Sequence, residues 1–355
     1  MGIAPPRLVA VDLFCGAGGL SYGLQQAGVA VAAGVDTDPA CEYPFESNIE
    51  APFLNIDVRD VTADHLRRLW RRSRFRVLAG CAPCQPFSMH RRGQDTSSEE
   101  QWSLLTEFGR LVKETEPEIV TMENVPRIVS ARVFRDFVSL LIDHGYQVDY
   151  RSCNGVDHGL AQRRSRLVLL ASRLGPIKVA SRRSATALTR TVRDEIGGLP
   201  TLRSGEADPH DPLHRTRRLS AINLKRIRAS TPGGTWEQWP VELRAPCHRR
   251  ASGSTFRNVY ARMEWDKPAP TITTLAFNFG TGRFGHPEQD RCISLREAAM
   301  LQGFPCSYRF VAPEHPVHMT RIGRLIGNAV PPPLGQAVGE VMVEHARAHA
   351  AGAAS

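Results

Sequence analysis

Over roughly the first half of the chain, apolar runs rich in β-formers alternate with helical stretches, and that alternation admits few folds. Leu8–Phe14 reads as a strand, residues 20–27 as a helix closed by Gly28, and Val29–Val35 as a second strand. Further strands fall near residues 53–56, 75–79, 118–122, 147–151 and 167–171, with helices between most of them. Strands linked by crossover helices build a mostly parallel sheet. The expectation is an α/β, Rossmann-like fold with a mixed, mostly parallel sheet that binds ligands at the carboxyl edge of its strands.

The first crossover is a nucleotide-type turn. Cys15-Gly16-Ala17-Gly18-Gly19 joins strand to helix, where glycine permits close backbone approach and the helix amino end offers unpaired N–H groups. Asp36, twenty residues beyond Gly16 at the end of strand two, is placed to accept from ribose hydroxyls, and Asp57-Val58 could hold an adenine edge. The glycine spacing is not Gly-x-Gly-x-x-Gly, which argues against a nicotinamide cofactor. Another adenosine-bearing cofactor fits better, and a methyl donor suits cysteine chemistry that needs no phosphate binding.

Cys84 lies in Gly80-Cys81-Ala82-Pro83-Cys84-Gln85-Pro86-Phe87-Ser88, directly after an apolar strand. The strand over 118–122 leads into Glu123-Asn124-Val125. Two strand ends would then bring a soft nucleophile and a carboxyl group to one mouth, a pairing suited to attack on an electrophile that is protonated as it is attacked. Cys81-x-x-Cys84 could instead be a redox dithiol or half a zinc site. A redox motif of this kind opens a helix, whereas Pro86 and the polar residues after it suggest a loop. A zinc site needs a second tight pair, and Cys247-His248 and His315 to His318 are isolated, so no metal is expected. Eight scattered cysteines without a secretion signal fit free thiols in the cytoplasm.

From Pro176 the alternation is lost and Gly, Pro, Ser, Thr and Arg dominate. Residues 176–290 carry 19 Lys and Arg against 11 Asp and Glu, so eight of the chain's nine net positive charges lie there. A basic segment of this kind suits a phosphate backbone, although arginine outnumbers lysine throughout, as under GC-rich coding. Trp236 and Trp239 could stack on bases or fill the core of a small irregular domain. Helical patterns return at 295–301 and from Pro333 to about His345, before a small-residue tail expected to fray. No apolar run reaches the ~18 residues of a membrane span, so a soluble protein is expected.

Six motifs occur in order: Asp12-Leu13-Phe14-Cys15-Gly16-Ala17-Gly18-Gly19, Pro83-Cys84-Gln85-Pro86-Phe87-Ser88, Glu123-Asn124-Val125, Gln162-Arg163-Arg164-Ser165-Arg166, Arg296-Glu297 to Leu301-Gln302-Gly303-Phe304-Pro305, and Ile326-Gly327-Asn328-Ala329-Val330-Pro331. In this the chain resembles the DNA cytosine-5 methyltransferases of bacterial restriction-modification systems, over nearly its whole length apart from 176–290. Cys81 departs from the glycine or serine more common in the family, and Leu325 from a common glutamine.

The resemblance implies S-adenosylmethionine as cofactor, held by Phe14, Gly16, Ala17, Gly19, Asp36, Thr37, Asp57, Val58, Pro83, Asn328 and Ala329. It implies Cys84 as the nucleophile towards cytosine carbon 6, Glu123 as the proton partner, and Arg164 and Arg166 beside the base. The base would be flipped out of double-stranded DNA, with residues 88–101 as a lid carrying His90, Arg91 and Arg92. It also implies a catalytic domain over 1–175, a target-recognition domain over 176–290 with a Thr-Ile marker at Thr271-Ile272, a hinge over 291–318, and a closing segment over 319–355. The protein would be a cytoplasmic monomer, with a cognate restriction endonuclease as a possible partner. The same chemistry on transfer RNA is the nearest alternative.

Overall fold

The computed structural model describes residues 8–71, 73–83, 99–180, 189–250 and 256–352. The chain divides into two compact units. One is Met1–His158, Ser165–Thr186 and Ala329–Ser355; the other is Gly159–Arg164 and Ala187–Asn328. Residues 291–328 thus group with the irregular segment before them, and the return to the first unit begins at Ala329.

The first unit holds a seven-stranded sheet: β1 Leu8–Leu13, β2 Ala30–Val35, β3 Phe53–Leu54, β4 Phe75–Gly80, β5 Ile119–Asn124, β6 Gln147–Asn154 and β7 Ser165–Ser172. The order is β3-β2-β1-β4-β5-β7-β6. Neighbours from β3 to β5 are parallel, whereas β7 runs antiparallel to both β5 and β6. The fold is therefore the mixed, mostly parallel α/β architecture expected. Its helices are α1 Gly19–Gln26, α2 Glu42–Ile49, α3 Ala63–Leu69, α4 Glu99–Thr115 and α5 Arg132–Asp143. The second unit contributes α6 Val192–Ile196, α7 Ala221–Arg228, α8 Leu295–Leu301 and α9 Met319–Asn328, and α10 Pro332–Gly352 returns to the first.

Every residue of β1 is buried, because helices cover both faces of the sheet. Side chains alternate between those faces. Val9, Val11 and Leu13 pack with Leu66, Phe108, Leu111, Phe134 and Phe137 from α3, α4 and α5. Leu8 and Ala10 pack with Leu20 and Leu24 of α1 and with Leu334, Val338 and Met342 of α10. Burying each large side chain stabilises the unit by roughly 1.5–3 kcal/mol. Ala346 and Ala350 belong to this second cluster. The tail expected to fray beyond His345 is therefore helix to Gly352: its alanines favour helix and the buried ones gain core contacts.

The seam between α1 and α10 is made of glycine. A Cβ on Gly23 would meet the backbone of Pro332 and Gln336, and one on Gly335 would lie 2.9 Å from the Leu20 carbonyl oxygen. Only bare backbone lets the two helices approach this closely.

The second unit has little regular structure, as expected from its composition. Its core gathers Ile227, Trp236, Trp239, Phe279 and Cys292. Trp236 and Trp239 are 3% and 2% exposed, which places them in the core rather than on a face that could stack on bases. Their indole N–H groups donate to the Phe256 carbonyl (2.8 Å) and the Ser230 hydroxyl (3.0 Å). The buried Arg291 guanidinium grips Glu297 through two 2.7 Å bonds. Glu297 also caps α8 by accepting from the Ser294 N–H.

Gly23→Val should lower the unfolding free energy of the whole chain by about 1–3 kcal/mol or more, the cost of overpacking against unyielding backbone. Urea denaturation followed by circular dichroism checks this.

Candidate active site

Strand register brings four polar side chains to one face of the sheet at its carboxyl edge. Asp12 pairs with Ala79, Gly80 with Met122, and Glu123 with Val168. Leu8, Ala10, Ala79, Ile119 and Val168 face α1 and α10. By the two-residue period Asp12, Cys81, Glu123 and Arg166 share that face. Arg166 reaches the edge only because β7 is reversed: the start of an antiparallel strand lies beside the ends of its parallel neighbours.

Glu123 is 5% exposed. Its Oε2 accepts from the Cys81 thiol at 3.1 Å. Its Oε1 lies 3.0 Å from Arg166 Nε, an ion pair whose alignment falls short of a hydrogen bond. A buried carboxylate left unpaired would be costly, and this pairing offsets that cost. Burial, and then the adjacent Glu123 carboxylate, hold the Cys81 thiol well above its ordinary range. Cys81 is thus a protonated donor here and a poor nucleophile.

The backbone at Cys81 and Ala82 is held by neighbouring strands. The Cys81 N–H donates to the Leu13 carbonyl at 3.3 Å. Asn124, buried on the opposite face, donates from Nδ2 to the Ala82 carbonyl at 2.9 Å and accepts from the Val125 N–H at 2.8 Å. The β5 end therefore holds the β4 end directly before Pro83. Cys84 lies outside the described residues, as do 88–98 of the expected lid with His90, Arg91 and Arg92. Residues 99–101, the last of that expected segment, form the first turn of α4.

The turn after β1 is left-handed at Phe14 (φ 57°), Gly16 (φ 54°) and Gly18 (φ 86°). Among the described residues, nothing lies within 4 Å of a Cβ placed at Gly16, so the turn borders open space there. Asp36 shapes it: Oδ2 accepts from the Gly16 N–H and Oδ1 from the Asp38 N–H, both at 2.9 Å. Burial raises the Asp36 pKa. Asp12 is 1% exposed; its Oδ2 accepts from the Ser21 hydroxyl at 2.7 Å, and its Oδ1 has no hydrogen-bond partner among the described residues. Burial lifts the Asp12 pKa to about 7. Ala17 and Gly19 are buried and Thr37 is exposed. Asp57 is held by Arg59, through its N–H at 2.9 Å and its guanidinium at 2.6 Å, which lowers the Asp57 pKa; Val58 is buried in the core.

The two arginines expected beside the base have different partners. Arg166 faces Glu123, whereas Arg164 belongs to the second unit, 3% exposed, and donates to the carbonyls of Ile272 and Gly327 at 3.0 Å each. Gln162 completes that knot, donating to the Leu301 carbonyl (2.9 Å) and accepting from the Ile272 N–H (2.9 Å). Asn328 ends α9, exposed, and Ala329 is buried. Sequence reasoning assigned no role to Asn124, Asp12 or Ser21, and weighed Cys81 only as half of a redox or zinc pair and as a departure from the family. The position of Asn124 directly after Glu123, in a strand buried throughout, is the signal that could have singled it out.

The chain matches the family model for C-5 cytosine-specific DNA methylase over residues 8–344. It belongs to that family. It is 47% identical to the type II methylase M.HgiDII of Herpetosiphon aurantiacus, over 92% of this chain and 93% of that one. It is 30% identical to the type II methyltransferase M1.HphI of Haemophilus parahaemolyticus, over 95% and 87%. Two crystal structures share the fold. A protein described as a DNA modification methyltransferase encoded within an E. coli prophage superposes with TM-score 0.71 at 21% identity, over 96% of this chain and 99% of that one. The S. pombe Dnmt2 methyltransferase gives 0.65 at 16%, over 96% and 98%. A methyltransferase family draws in general on S-adenosylmethionine. Among the described residues no helix is long and apolar enough to cross a membrane.

Asp12 generates a pH prediction. Its native pKa of about 7 exceeds the ~3.9 of an unfolded carboxyl, so between those values the native state holds a proton that the unfolded chain has released. Its contribution to stability is complete below the lower value and lost as pH rises to the upper one. Asp12→Asn should therefore gain in melting temperature relative to the native protein as pH goes from 5 to 8, measured by calorimetry without added ligand.

Proposed function

We propose that this protein methylates carbon 5 of a cytosine within a specific double-stranded DNA sequence, with Cys84 forming a transient bond to carbon 6. The observation that carries this reading is the buried Glu123 carboxylate, held between Arg166 and Cys81 on the sheet edge that leads into Pro83-Cys84. Cytosine carbon 5 is a weak nucleophile. Addition of the Cys84 thiolate at carbon 6 breaks the ring's aromaticity and makes carbon 5 enamine-like. A proton taken up from solvent as the base binds is shared between Glu123 and ring nitrogen 3 as the thiolate adds, so negative charge does not accumulate on the base. Arg166 orients Glu123 and holds the exocyclic oxygen. After alkylation a base removes the carbon 5 proton, the Cys84–carbon bond breaks, and nitrogen 3 returns its proton to Glu123.

The first unit suits S-adenosylmethionine. Among the described residues the turn at Gly16 meets free space and Asp12 presents a buried oxygen without a hydrogen-bond partner, and Asp36 keeps further lone pairs for ribose hydroxyls. Phe14, Gly16, Ala17, Gly19, Asp36, Thr37, Asp57, Val58, Pro83 and Ala329 of this unit would hold it. When bound it supplies an electrophilic methyl group.

A stacked base cannot reach such a site, so the cytosine is swung out of the duplex at a cost of a few kcal/mol. The basic second unit reads the surrounding sequence; Arg218 and Lys225 are exposed there for phosphate contact. That charge and the names of the type II relatives support DNA over transfer RNA, and a cognate restriction endonuclease as partner.

Incubation with labelled methyl donor should label plasmid DNA and not transfer RNA. An oligonucleotide with 5-fluorocytosine in the recognised site should become irreversibly attached to the native protein and not to Cys84→Ala, which should still bind the donor. Methylation by Cys84→Ala would overturn the assignment. Glu123→Gln should slow single-turnover methylation by about 100-fold or more, the scale of general acid catalysis, with little change in DNA affinity.

A further inference from the structure

Glu123 is held at both oxygens by side chains from two different strands, and only one of the holders is charged. Arg166, from β7, pairs with Oε1. Cys81, from the end of β4, donates to Oε2. A carboxylate held at one oxygen can rotate about the bond to its methylene; held at both, its plane is set. The reaction proposed above requires that plane to be set, because one carboxyl group must face the edge of a flat base.

We propose that Cys81 is a positioning residue for this enzyme: its S–H bond to Glu123 Oε2 fixes the plane in which Glu123 meets the cytosine. The placement of Cys81 is itself over-determined. Its N–H is tied to Leu13, the adjacent Ala82 carbonyl is tied to Asn124, and its side chain packs on the cluster between the sheet and helices α1 and α10. Burial and the neighbouring carboxylate keep the thiol protonated, so it remains a donor while a different cysteine serves as nucleophile. The donor has one hydrogen and Oε2 has two lone pairs, so the contact leaves Oε2 able to accept from the base. Cys81 touches no reacting atom; it acts through Glu123.

The inference rests on the reading of Cys84 and Glu123 given above, and the experiment separates the two. Single-turnover methylation at saturating DNA and donor is compared for the native protein, Cys81→Ser, Cys81→Ala and Cys81→Gly. Alanine and glycine both remove the donor, so a folding failure in one leaves the other informative. Each should slow methyl transfer by about tenfold, the order expected from loss of one weak hydrogen bond to a charged group. KM for donor and DNA should stay unchanged. Serine keeps a donor and should recover the rate to within about threefold of native. A native rate in Cys81→Ala or Cys81→Gly overturns the inference. So does a Cys81→Ser variant as slow as Cys81→Ala, which would make the sulfur a packing group. If Cys84→Ala or Glu123→Gln methylates at the native rate, the reading of the site itself fails. If both are impaired while the Cys81 variants are indifferent, only the role of Cys81 falls.

Discussion

A carboxylate buried at the rim of a sheet is the constraint around which the first unit is organised. Glu123 is withdrawn from water at the end of a buried strand, and Arg166 and Cys81 are the partners that offset the cost of burying it. That compensation depends on the order of strands. β4 and β5 run in parallel, so their ends arrive together; β7 is reversed, so its beginning arrives with them. A parallel strand in the position of β7 would carry the arginine to the far edge of the sheet. The antiparallel hairpin of β6 and β7 is thus what completes the site.

The same economy holds beneath it. Both sheet faces are covered by helices, and α10 reaches its place against α1 through a seam of glycine that tolerates no side chain. Since α1 begins at the turn that Asp36 holds, the chain's return segment and the turn share one rigid support. The second unit solves another problem. With few strands or long helices, it must satisfy backbone carbonyls by other means. Arg262 donates to the carbonyls of Ile227, Ser230, His286 and Gln289, and Arg164 to those of Ile272 and Gly327. Some of the arginine that gives this segment its basic composition is therefore internal scaffolding, which tempers any count of DNA contacts from charge alone.

The doubly covered strands, the glycine turn, the loss of alternation after residue 176 and the order of the motifs are all legible along the chain, because each depends on neighbours or on short periods. So is the candidacy of Glu123, since a carboxyl group at the end of a buried strand has few structural uses. Partnerships are not legible in this way. Arg164 and Arg166 stand two residues apart in one basic motif, yet one is packed among backbone carbonyls and the other faces the carboxylate. Asp36 carries its expected address, but its oxygens also hold the glycine turn. The last helix outruns its expected end, because alanines that look like a loose tail are buried against the sheet.

Read alone, the chain dictates its elements, its family resemblance and the candidates for its reactive groups, for these rest on local propensity and on composition at fixed spacing. Which groups meet is decided only in three dimensions. The contact of Cys81 with Glu123 spans 42 residues, and that of Gln162 with Gln302 spans 140. Such pairs depend on strand register, strand direction and close packing. A shift of one residue in register would send each side chain to the opposite face of the sheet.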